Sequence, residues 1–103
     1  MSAATITKTE WGYYCTGGTD ATTVFTGRRF IRSVVFIPNG TTDTMLLTST
    51  KNVTGAATNW MELGSGGIAN HQECPWHLDD GVPADNMALT LSDAAGAAYI
   101  ITR

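Results

Sequence analysis

Asn86-Met87-Ala88-Leu89-Thr90-Leu91-Ser92-Asp93-Ala94-Ala95-Gly96-Ala97-Ala98-Tyr99-Ile100-Ile101-Thr102-Arg103 is the stretch that decides the fold class. It alternates through Leu91, breaks at a turn signal over Asp93 to Gly96, and alternates again, a period of two that belongs to strands. The pattern predicts a hairpin that buries Met87, Leu89 and Leu91, facing Tyr99 and Ile101 or their neighbours. Upstream, Phe30-Ile31-Arg32-Ser33-Val34-Val35-Phe36-Ile37 is the strongest strand. Its first half alternates, whereas Val34 to Ile37 is apolar at every position and predicts cover on both faces at that end. Pro38-Asn39-Gly40 ends it, with Asn or Gly expected at positive φ in a tight turn.

The remaining segments repeat the theme. Thr5 to Cys15 reads as one strand with Trp11, Tyr13 and Cys15 on one side and Tyr14 on the other. Gly17-Gly18 breaks it, and a short Thr22-Thr23-Val24-Phe25 strand stops at Gly27. Thr44 to Thr50 returns around Met45, Leu46 and Leu47, Lys51 to Asn59 is a polar connection, and Trp60-Met61-Glu62-Leu63 is another short strand. His71 to Leu78 contains Pro75, which cannot donate to a ladder, so an edge or irregular strand is expected there, followed by a loop over Asp79 to Asp85. Roughly seven or eight short strands without a helical period predict an all-β fold, a single small antiparallel β-sandwich. One domain over 1–103 is expected, with 1–15 as an N-terminal strand or arm contacting a neighbouring subunit. Val34, Phe36, Leu46, Leu89, Leu91, Tyr99 and Ile101 are the expected core.

Charged residues make up 15% of the 103-residue chain, against roughly 25% in an average soluble domain. Thr, Ser, Asn and Gly must therefore carry the polar surface, and the β-branched Thr suits a pleated sheet. With six Lys and Arg and a net charge of −3, nucleic acid is not an expected partner, since phosphate binding needs many cations. Arg28, Arg29 and Arg32 form the one basic cluster, expected to pair with acidic neighbours or with another subunit. The start, Met1-Ser2-Ala3-Ala4-Thr5, lacks a charged segment followed by an apolar one, and no run approaches the ~18 apolar residues of a span, so folding in a cytoplasm and no membrane are expected.

Metal-ligand residue types occur together in His71-Gln72-Glu73-Cys74-Pro75-Trp76-His77. On an extended strand Cys74 points away from His71 and His77, and the two histidines lie ~20 Å apart, so these three are the only metal candidates and no metal or cofactor is expected. Two cysteines, Cys15 and Cys74, are too few for a disulfide scaffold and read as buried thiols in a reducing compartment, or as a single pair in an oxidising one. Asp79, Asp80 and Asp85 crowd one segment but match no cation-loop spacing and read as solvated turn acids. Ser65 lies in Gly64-Ser65-Gly66, which lacks the nucleophile-elbow pattern. No enzymatic activity is expected.

The order of Phe30 to Ile37, the Pro38-Asn39-Gly40-Thr41-Thr42-Asp43 turn, Thr44 to Thr48, the Trp60 strand, Asp80-Gly81 and a closing pair from Ala88 to Ile101 resembles the layout of small tailed-phage virion proteins over roughly residues 28 to 103. The resemblance implies a non-enzymatic structural virion protein of the capsid decoration or cement type, stabilising the head shell. Its partners would be the major capsid protein and copies of itself, its place the capsid surface of the virion after synthesis in the host cytoplasm, and a small-molecule ligand is not expected. Ile6, Trp11, Tyr13 and Tyr14 of the N-terminal arm, with Arg28, Arg29 and Arg32 as polar anchors, are the expected interface. The alternatives are a carbohydrate- or receptor-binding sandwich of a tail or fibre, with Trp60 or Trp76 beside Asp79 and Asp80, or a tail or head–tail connector component.

Overall fold

A computed structural model describes residues 2–50, 55–67 and 77–103. The strands are β1 (Thr5–Lys8), β2 (Gly12–Thr16), β3 (Thr22–Thr23), β4 (Arg28–Ile37), β5 (Thr44–Thr50), β6 (Ala57–Gly64), β7 (His77–Leu91) and β8 (Ala97–Thr102). All eight pair antiparallel in one sheet ordered β1-β2-β8-β4-β7-β5-β6, with β3 beside β7. The class is the all-β antiparallel one expected from the alternating sequence.

The sheet curls over its own core. Three neighbour spacings, roughly 14 Å at 4.8 Å each, separate β2 from β7 along the sheet. Yet Tyr13 of β2 stacks on Phe25, beside β7, with ring centroids 5.6 Å apart. The chain before β1 reaches the same place: the Ala4 amide donates to Thr22 Oγ1 at 2.9 Å. Val34, Phe36 and Ile100 from one end of the sheet therefore share one core with Met45, Leu47, Met87, Leu89 and Leu91 from the other. Both layers expected of a sandwich come from this one continuous sheet.

Several expectations change, beginning with Ala57 to Asn59, expected in a polar connection, which open β6. The N-terminal segment is a hairpin, β1 and β2, because Thr9 Oγ1 accepts the Gly12 amide and the Thr9 amide binds the Gly12 carbonyl. Gly12 is required at that corner: its φ is +149°, and a Cβ there would collide with the Ile100 carbonyl. The closing strands form no hairpin, since β4 lies between β7 and β8. The five residues 92–96 suffice to step across one intervening strand, roughly 10 Å. Residues 79–85 belong to the fifteen-residue β7 and not to a loop. Pro83 is tolerated because, among the described residues, that half of β7 pairs with β4 alone, an edge-like position. The turn after β4 uses no positive φ at Asn39 or Gly40; the Asp43 carboxylate accepts both of their amides.

Leu46, Tyr99 and Ile101 are half-buried residues of the outer face, while Val34, Phe36, Leu89 and Leu91 are core. Tyr99 and Ile101 cede the inner positions to their neighbours Ala98 and Ile100. Val34 and Phe36 face the core and Val35 and Ile37 lie half-buried outside, so the continuous apolar run is covered fully on one face and partly on the other.

Candidate functional site

Two places combine exposure with distinctive chemistry. The first is the outer face of β2, β8 and β4. Register places Tyr14, Tyr99 and Val35 in one cross-strand row and Thr16, Ala97 and Ile37 in the next. Tyr14 and Tyr99 rings lie 4.9 Å apart, and Trp11 closes on Tyr99 at 5.6 Å. Trp11, at 40% exposure, is the exposed large hydrophobic residue of the described chain. The Gly12 corner turns it from the inner face, where strict alternation with Tyr13 would put it, to the outer one. Thr7 of β1 extends the Tyr14 row, and none of these row residues is charged.

The second place is a cleft of about 180 Å³ where β4, β5, β6 and β7 meet. Two bulges build it. Leu47 opposes Met61 and Thr48 opposes Asn59, so Trp60 is an extra residue in β6. Thr48 opposes Ala88 and Thr50 opposes Asp85, so β7 also carries one residue too many, at Asn86, whose φ is +49°. Bulges of this kind bend a strand and re-aim a side chain. Asn86 is held in its rare conformation by its own amide group, which accepts from the Gly27 amide at 2.6 Å and donates to Thr50 Oγ1 at 3.0 Å.

Beside it, Arg28 and Asp85 face each other across the β4–β7 ladder and form a forked pair, Nε to Oδ1 at 2.7 Å and Nη2 to Oδ2 at 3.0 Å. Asp85 is 4% exposed, and its backbone is held by Ser49, whose hydroxyl donates to the Asp85 carbonyl and accepts its amide. The hydrogen bonds from Arg28 hold the Asp85 carboxyl below its ordinary value against the opposing effect of burial. They raise the Arg28 guanidinium in turn. Trp60 packs on the core and donates Nε1–H to the Pro83 carbonyl at 3.2 Å, which fixes its ring as one wall. Thr50 and Thr58 complete the lining.

The expected interface residues separate accordingly. Trp11 and Tyr14 share the outer face. Tyr13 is 6% exposed and belongs to the core, so it presents no surface to a partner in this fold. Ile6 opposes Cys15 and packs partly against the core. Arg28 is committed to Asp85, Arg29 is exposed, and Arg32 sits at the β4 bulge, 3.8 Å from the exposed Asp79. Both cluster members with close acids thus follow the expected pairing. The three acids of 79–85 diverge, with Asp85 turned inward and Asp79 and Asp80 exposed.

Cys15 is fully buried, and burial pushes its thiol up to about 12. Its proposed partner Cys74 lies outside the described residues, as do His71 and Trp76; His77 opens β7, and its side chain is not among those described. Among the described residues no three His, Cys, Asp or Glu side chains are grouped to hold a metal. Ser65 is buried, its hydroxyl given to the Thr41 carbonyl. Asp85, Thr50 and Thr58 were not legible as a group, because only the two register shifts bring them together. Comparison with protein-family models, curated proteins and solved structures finds no match.

Proposed function

We propose that this chain is a non-enzymatic structural subunit of a virus particle, a decoration or cement protein seated on a tailed-phage head. The observation that carries this reading is the uncharged aromatic face of Trp11, Tyr14 and Tyr99. Folding leaves that face outside, in a chain poor in charge, and aromatic side chains at low charge density are the composition of interface centres. The occupant is a shell subunit: a protein surface buries such rings, while nucleic acid would require the cations this face lacks. The layout resemblance to small virion proteins supplies the setting.

Quantitative mass spectrometry of purified particles, with a density map of the same sample, tests it. Copies in the hundreds, with Trp11 and Tyr14 against the shell, support the reading, and a Trp11→Ala/Tyr14→Ala variant is expected to lose at least ~90% of its occupancy while folding normally. Absence from particles, or a few copies at one vertex or on the tail, overturns it.

A further inference from the structure

We propose that the cleft between Trp60 and the Arg28–Asp85 pair binds a single neutral polyhydroxylated ring, the size of one sugar unit. This goes beyond the assembly role, which rests on Trp11, Tyr14 and Tyr99, none of which lines the cleft, and either can fail without the other.

Size comes first. At about 180 Å³ the cleft falls below the ~300 Å³ at which drug-sized ligands begin, so its walls surround one small ring at most. Charge comes next. The guanidinium and the carboxylate stand side by side, so an anion drawn to Arg28 meets Asp85, and a cation drawn to Asp85 meets Arg28. A neutral ligand meets neither penalty. Hydrogen-bonding capacity then selects among neutral ligands. The forked pair uses Nε and Nη2 of Arg28 and leaves Nη1, with two N–H donors, unengaged among the described residues. Each Asp85 oxygen accepts one bond from Arg28 and keeps a further lone pair. Thr58 spends its hydrogen on the Ser49 carbonyl at 3.4 Å and keeps its acceptor side.

Donors and acceptors only a few ångströms apart match a pair of adjacent hydroxyls, one accepting from Arg28 and the other donating to Asp85. The C–H face of a sugar ring suits the aromatic wall of Trp60. Preorganisation is already present: the forked pair, the Ser49 bonds and the Trp60–Pro83 bond hold these groups in place before any ligand arrives. The acid beside the tryptophan is thus Asp85, and neither Asp79 nor Asp80 lines the cleft.

Amide and indole NMR of the whole chain, titrated separately with glucose, galactose, mannose and N-acetylglucosamine, tests the proposal. At least one sugar is expected to saturate with a Kd on the order of 1 mM, as suits a small ligand, shifting the Trp60 indole and the Asp85 and Thr58 amides. Thr58→Val, on an exposed strand position, should weaken that sugar about fivefold, the value of one hydrogen bond; Arg28→Lys, which keeps the charge but loses the fork, should weaken it at least as much. No saturable shift with any sugar overturns the proposal. So do equal shifts from glycerol, a preference for sulfate at the same amides, or unchanged affinity in both variants.

Discussion

The two faces of β2, β8 and β4 carry nearly the same kinds of residue and meet different fates. Inward point Tyr13, Cys15, Ala98, Ile100, Val34 and Phe36, all buried. Outward point Tyr14, Tyr99, Ile101, Val35 and Ile37, all half-buried, with Trp11 beside them. A strand buried on one side ordinarily alternates apolar with polar, and here the outer positions are apolar too. The inner face is explained by folding alone. The outer face is apolar beyond what this fold uses, and that surplus is what the proposed partner would bury.

Substitutions sharpen the contrast, beginning with the inner face. Phe36→Ala should cost ~3–5 kcal/mol, the range for emptying a buried aromatic site; urea unfolding measures it, and a cost near zero would remove Phe36 from the core. Gly12→Ala comes next, at ~1–3 kcal/mol or more, because the new methyl group meets the Ile100 carbonyl in a backbone region L-residues avoid. The same melts read it, and a neutral result would mean the Gly12 corner is not needed to carry Trp11 outward.

On the outer face the effects shrink. Tyr99→Ala loses two ring contacts and should cost ~1–3 kcal/mol, whereas Trp11→Ala loses one and should cost ~0.5–1.5 kcal/mol. Were Trp11→Ala as costly as Phe36→Ala, the outer face would be structural and its claim to a partner would fall. Smallest of all is the response of Cys15 to a thiol reagent at pH 8. Its raised thiol pKa keeps it protonated there and its burial hides it, so peptide mapping should find it unlabelled until the chain unfolds.

Much of this fold was legible because strands announce themselves locally. Val34, Phe36, Leu89 and Leu91 lie where alternation puts them. The 86–103 segment shows the limit: both its strands and its turn exist, but a five-residue connection serves equally to return beside a strand or to skip one, and the sequence pattern is the same for either. The alternation also leaves open which parity faces in: Tyr99 and Ile101 are the expected core residues, and Ala98 and Ile100 take that side. Trp11 crossed to the outer face through one glycine.

Composition, the period of two and the turn residues were enough to establish an all-β antiparallel chain, poor in charge, with aromatic residues near its start. Each depends only on a residue and its near neighbours. Strand order, the inner parity of β8, the outward turn of Trp11 and the meeting of Arg28, Asp85, Thr58 and Trp60 were settled by the tertiary structure alone. Arg28 and Asp85 are 57 residues apart, and single extra residues in β6 and β7 decide what stands beside them. Bulges and strand insertion are set by the total packing energy of the closed sheet, a sum over distant pairs that no local window contains.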